Sequence, residues 1–156
     1  MIELRKVSKS YPPDQQALDH LSLSVVDGAF TCIAGASGAG KSTLLKILFG
    51  DEKPSSGDAL VAGRNMKALG SNGRALFRRD VGFVFQDYKL LQERTVVENI
   101  AFPLEVQGVR DVVRTKAALE LLKMAHLEGR AGAFPRMLSG GEQQRVAVLR
   151  ALIHRP

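Results

Sequence analysis

Polar and apolar positions divide the chain into two halves of different character. Residues 2–7 alternate as a half-buried strand does, and residues 18–26 set Leu21, Leu23 and Val25 against polar neighbours, a second strand with one dry face. Residues 8–16, with Pro12-Pro13-Asp14, read as the loop between them. Asp27-Gly28 predicts a tight turn into a third, mostly apolar strand over residues 30–34. Residues 43–49 place apolar side chains on a helical period up to Gly50. Pro54-Ser55-Ser56-Gly57 is a further turn, residues 59–62 a short strand closed by Gly63, and residues 72–79 a weak helix. Residues 81–85 are apolar almost throughout and predict a strand buried on both faces.

From residue 88 to 134 the pattern is helical. Thr95 and Glu98 have the spacing of a capping box, and Asp111 stands where it could cap the next helix. There Val113, Ala117, Leu121 and Met124, with Ala118, Leu122 and Ala125, form an apolar stripe at spacings of three and four, for core or docking. Gly129, Gly132 and Pro135 interrupt before a last helix, whose start carries a second capping box, Ser139 to Glu142. No internal repeat or low-complexity segment is present.

Composition narrows the picture only a little. In 156 residues, 45% are hydrophobic and 24% charged, suiting a globular domain or a large part of one. The net charge of +6 fits an anionic ligand, nucleic acid or a charged membrane surface without choosing among them. One cysteine, Cys32, excludes an internal disulfide and is expected to be a small buried residue of the third strand. No apolar run is long enough to span a bilayer and no signal peptide is visible, so a cytoplasmic location is expected.

The densest chemistry lies in Gly35-Ala36-Ser37-Gly38-Ala39-Gly40-Lys41-Ser42, followed by Thr43. Strand, glycine-rich loop and helix in that order make a phosphate cradle. Residues without a Cβ let backbone N–H groups curl round a phosphate, and the helix start adds unpaired donors and the positive end of its dipole. Lys41 would reach the β- and γ-phosphates and Ser42 would hold Mg²⁺. Ser139-Gly140-Gly141 is a second helix start with a hydroxyl and bare amides; consecutive glycines cost helix stability, which makes sense if something must approach the backbone. Gln86, ending the strand at 81–85, is a site candidate or a plain strand cap; Tyr11 is a half-exposed aromatic or a base-stacking one. Arg74, Arg78 and Arg79 form a solvated face or touch phosphate.

These motifs resemble those of ABC-type ATPases. Gly35 to Ser42 is similar to a Walker A loop, Leu138-Ser139-Gly140-Gly141-Glu142-Gln143 to the family's signature motif, and Tyr11 and Gln86 fall at its adenine-stacking and Q-loop positions. Residues 77–87, Leu90-Leu91, Arg94-Thr95-Val96 and residues 99–104 resemble most the FtsE group of cell-division ATPases, and in part the lipoprotein-release and macrolide-export ATPases. The resemblance implies an α/β P-loop NTPase: a RecA-like core with an antiparallel β subdomain and an inserted helical subdomain. Residues 1–86 would be the N-terminal core with the β subdomain, 87–137 the helical subdomain, and 138–156 the signature and the return to the core.

The resemblance also implies ATP and Mg²⁺ as cofactors, the metal held by Ser42 and Gln86, with Lys41 and Gln86 as catalytic residues. It further implies a head-to-tail homodimer with ATP at its interface, an integral membrane partner of the FtsX kind, no nucleic acid, and a peripheral place on the inner face of the cell membrane. A Walker B strand, catalytic glutamate, D-loop and switch histidine have no counterpart in residues 1–156, so a partial ATPase with little turnover of its own is expected. A soluble ABC protein acting on nucleic acid or ribosomes, and a non-catalytic binding fragment, are the competing readings.

Overall fold

The computed structural model describes every residue from Met1 to Pro156. It forms two compact units, Met1–Arg78 and Arg79–Pro156. The first unit is a four-stranded antiparallel sheet, order β2-β1-β3-β4, made of β1 (Ile2–Tyr11), β2 (Gln15–Val25), β3 (Ser56–Val61) and β4 (Arg64–Asn65). Helix α1 (Lys41–Leu48) packs on β3 and β2, and α2 (Ser71–Arg79) follows. Its core is built from Leu4, Val7, Leu18, Leu44, Ile47, Ala59, Met66 and Phe77. Arg78 ties α2 to the end of α1: its guanidinium stacks 4.8 Å from the Phe49 ring and donates to the Gly50 carbonyl at 3.0 Å.

The expected loop over residues 8–16 is mostly strand. Ser10 pairs with Gln16 and Tyr11 with Gln15, leaving a turn of only Pro12, Pro13 and Asp14. Polar Ser, Lys and Gln side chains disguise this hairpin, whose ladder is made by the backbone. Where β1 bulges, hydroxyls stand in for ladder partners: Ser22 Oγ accepts from the Lys6 N–H at 3.0 Å and Ser8 Oγ from the His20 N–H at 2.9 Å.

Neither expected central strand forms. Residues 30–34 follow the turn at Asp27-Gly28 without pairing; Phe30 is 98% exposed and Cys32 lies in the open rather than buried. Residues 81–85 likewise form no strand, and Val84 is exposed, so they are not buried on both faces. A β-prone run becomes a strand only when a neighbour accepts and donates its backbone hydrogen bonds. No strand of the sheet pairs with either run.

The second unit is helical: α3 (Val96–Val106), α4 (Asp111–Met124) and α5 (Gly140–Leu152), with 3-10 turns at Glu128–Arg130 and Pro135–Met137. Ile100, Ala118, Leu122, Val146 and Ala147 form its fully buried centre. Thr95 caps α3 as its spacing predicts, with Glu98 bonded back to the Thr95 N–H. Asp111 is the first residue of α4 rather than its cap; Arg110 holds the cap position without a side-chain bond, and Asp111 instead pairs with Arg114 at 3.0 Å. The α4 stripe is buried at Ala118 and Leu122, whereas Val113 and Met124, in its first and last turns, are exposed. Asn99, fully buried, receives the Leu91 N–H on Oδ1 at 2.7 Å and donates from Nδ2 to the carbonyls of Leu91, Arg94 and Thr95 at 2.9, 3.0 and 3.0 Å.

Candidate nucleotide-binding site

In the first unit, a cleft of about 280 Å³ is lined by Tyr11, Gln15, Ala17, Ser37, Gly38, Gly40, Lys41, Ser42 and Thr43. The β1–β2 hairpin supplies Tyr11, Gln15 and Ala17; the glycine-rich loop and the first turn of α1 supply the rest. The loop's shape depends on one glycine above the others. Gly40 is the left-handed cap residue of α1, φ +83°, and a Cβ there would stand 2.2 Å from the Ala17 carbonyl oxygen. Its missing side chain is what lets the start of α1 press against β2.

Lys41 folds back over the loop. Its Nζ donates to the carbonyl oxygens of Gly35 at 2.8 Å and Ala36 at 2.6 Å. An ammonium has three N–H donors, so one remains for a ligand, and its charge is held at the loop rather than swinging freely. Ser42 is exposed beside it, and the Ala39 N–H closes a turn on the Ala36 carbonyl at 3.3 Å. No acidic side chain lines the cleft. This arrangement fits a polyphosphate: bare loop amides, a helix start and one cation converge on a polar cleft with an aromatic at its rim. For Mg²⁺ it offers the Ser42 hydroxyl among the lining side chains, and no cluster of three His, Cys, Asp or Glu residues is present to cage a metal. A magnesium ion there would take most of its oxygens from phosphate and water.

The remaining candidates lie in the second unit. Gln86 is exposed in a turn with Asp87, and the next two residues, Tyr88 and Lys89, adopt positive φ of 60° and 44°. Arg150 of α5 holds that bend, donating to the Tyr88 carbonyl at 2.6 Å and the Lys89 carbonyl at 2.7 Å. Burial pulls the Arg150 guanidinium below its ordinary pKa. The turn carrying Gln86 is thereby fastened to the helix that begins at Gly140.

At the start of that helix, the Ser139 hydroxyl accepts from the Glu142 N–H and donates to the Glu142 carboxylate at 2.8 Å. The Ser139 N–H donates to the same carboxylate at 2.8 Å, and Arg130 joins it at 3.0 Å. The Ser139 backbone and hydroxyl bonds, aided by Arg130, bring the Glu142 carboxyl down to a pKa of about 2. Gly140 and Gly141 face open space: a Cβ on either would meet nothing within 4 Å. For Ser139 to donate to a phosphate, its hydroxyl hydrogen must turn away from Glu142.

Comparison with known proteins follows the same residues. The family profile described as "ABC transporter" matches residues 18–156. The chain belongs to the ABC transporter family. It is 42% identical over its whole length to the cell division ATP-binding protein FtsE of Bacillus subtilis, of which it covers 68%. It is 45% identical to the methionine import ATP-binding protein MetN of Geobacillus kaustophilus, spanning about half of that relative, 46%. All of the chain superposes on 71% of the ATP-binding cassette MJ0796, in a dimeric post-hydrolysis state bound to ADP and Pi, with a TM-score of 0.92 and 39% identity. The fold is accordingly that of an ABC-type ATPase, and the chain holds part of that ATPase domain.

Two features of the site escaped the sequence. Gln15 and Ala17 line the cleft because the hairpin at Pro12-Pro13-Asp14 folds them back beside Tyr11. The turn residues were visible, but the strand register that places these two side chains was hidden in a polar stretch.

Proposed function

We propose that this chain is the ATP-binding part of an ATPase subunit that drives an integral membrane partner from the inner face of the membrane. The observation that supports this reading best is the cleft joining Tyr11 to the loop from Ser37 to Thr43, with the Lys41 ammonium pinned over it. The loop amides and Lys41 bind the phosphates, Tyr11 stacks on the base, and the Ser42 hydroxyl orients the metal. Mg²⁺, when bound, neutralises charge that builds on the phosphate oxygens.

Ser139, Gly140 and Gly141 act on the nucleotide of a second copy, arranged head to tail. The open space around both glycines suits a phosphate arriving from outside the chain. Gln86 senses the terminal phosphate, and its turn, anchored by Arg150, transmits the change to the helices of residues 87–137, where the membrane partner docks. Residues 1–86 then supply the base and phosphate contacts, and 138–156 the contact across the dimer. No helix of the chain is long and apolar enough to cross a membrane.

Within this class we favour an FtsE-like subunit in cell division with an FtsX-like permease, on the resemblance of residues 77–87 and 99–104. The methionine import relatives, with similar identity, support a second reading as an importer subunit. Titration calorimetry of ATP against the chain and its Lys41→Ala variant tests the binding claim; equal affinities would refute it. Affinity purification from membranes separates the partners. An FtsX-like subunit supports the first reading and a methionine permease the second, whereas nucleic acid with no membrane protein would overturn both.

A further inference from the structure

Tyr11 does not stand loosely at the rim of the cleft. Lys9, on the same strand, holds its ammonium 4.9 Å from the centre of the Tyr11 ring. That ammonium pairs with the Glu52 carboxylate at 2.9 Å and donates to the Lys53 carbonyl at 3.0 Å. The two side chains are only 15% and 22% exposed, so the pair is sheltered from water. Lys9 first, and the nearby Tyr11 hydroxyl after it, lower the pKa of Glu52. The Glu52 N–H, in turn, donates to the Lys46 carbonyl in α1 at 3.2 Å, beside that of Asp51 at 2.8 Å. Helix α1 opens at Lys41. One carboxylate therefore joins the cation over the aromatic ring to the helix that carries the phosphate loop.

We propose that Lys9 and Glu52 are positioning residues for the nucleotide base, holding the Tyr11 ring at a fixed angle and a fixed distance from the phosphate loop. The inference rests on the nucleotide reading above and adds to it two residues that touch neither base nor phosphate. A cation over one face leaves the other ring face for stacking. A ring with its torsions already set loses less freedom when a base settles on it, so binding is stronger for the same contact. Because Glu52 neutralises Lys9, the lysine does this without offering a second loose charge to the phosphates.

The test compares ATP with inorganic tripolyphosphate, which has the phosphates and no base, by titration calorimetry on residues 1–156. Glu52→Gln and Lys9→Met are each expected to weaken ATP by about 3- to 10-fold, a fraction of the whole stacking contribution, and to leave tripolyphosphate affinity no weaker than in the parent. Lys9→Arg, which keeps the cation, should recover most of the loss. Tyr11→Phe, which keeps the ring and the cation over it, should bind ATP nearly as tightly as the parent; a large loss would overturn the assignment of Lys9 and Glu52 as the groups that position the ring. Parent-like ATP binding by Glu52→Gln and Lys9→Met would overturn the proposal, provided that Tyr11→Ala binds ATP more weakly. Equal weakening of both ligands would overturn it too, because the pair would then act on the fold and not on the base. A parent chain that binds neither ligand would refute the nucleotide reading itself and this inference with it.

Discussion

Gly40 approaches the Ala17 carbonyl as only a residue without a Cβ could. The α1 cap residue lies so close to β2 that a Cβ would be 2.2 Å from the Ala17 carbonyl oxygen, far inside any real contact. Gly40→Ala also forces an alanine to φ +83°, a conformation that costs about 1–2 kcal/mol for a residue with a Cβ. Strain and clash together should push α1 off the hairpin and open the cleft. The expected outcome is a lower urea midpoint and loss of ATP binding; an unchanged midpoint would mean that the loop does not depend on this approach.

Lys41→Ala removes the cation pinned by Gly35 and Ala36. A charge-assisted hydrogen bond is worth about 1.5–3 kcal/mol, so ATP affinity should fall by roughly tenfold or more. The parent should nevertheless release no measurable phosphate, because no carboxylate lines the cleft to orient an attacking water. A phosphate-release assay with Lys41→Ala as the contamination control checks this. Lys41-dependent turnover by residues 1–156 would reveal a catalytic group outside the cleft described here.

Much of this was legible beforehand, for reasons that differ from residue to residue. The phosphate loop and both capping boxes announce themselves because their chemistry is local: Thr95 with Glu98, and Ser139 with Glu142, need only a spacing of three. Tyr11 was identified as a residue, but its position at the end of a strand was not, because register is a property of two strands and leaves little trace in polar side chains. Residues 30–34 and 81–85 failed in the opposite direction. Their apolar, β-prone composition is right for a buried strand, yet pairing is decided by partners elsewhere. The α4 stripe splits between its two readings: Ala118 and Leu122 are core and Val113 and Met124 are exposed, since periodicity marks a face of a helix but not how far its neighbours cover it.

Glu142 gives the second unit a definite acid response. Its pKa of about 2 in the folded chain lies below the ordinary 4.5, so folding favours the ionised form. That stabilisation is complete above about pH 4.5 and drains away as the pH falls from there through about 2. Glu142→Gln should remove this component, so parent and variant should converge in urea stability on acidification from pH 6 to pH 2.5. Parallel profiles would show that the carboxylate is not ionised by its contacts with Ser139 and Arg130.

Asn99 offers the sharpest stability test. Asn99→Asp keeps the size of the side chain but turns its amide nitrogen into an oxygen facing the carbonyls of Leu91, Arg94 and Thr95. Three attractive contacts become repulsive in a fully buried place, and the expected loss is about 3 kcal/mol or more. Chemical denaturation followed by circular dichroism measures it. A loss below about 1 kcal/mol would mean that the loop from Leu91 to Thr95 is held by other bonds.

Cys32 turns the unpaired stretch beside the phosphate loop into something that can be timed. Its thiol lies open in residues 30–34, three positions before Gly35 opens the glycine-rich loop. A strand laid against this stretch would shield the sulfur, and a coloured disulfide reagent would register the shielding as slower modification. With no other cysteine to compete, the rate of that one reaction is a stopwatch on the covering of this stretch. The same sulfur that lies open in the unpaired run can therefore report when a partner closes over it.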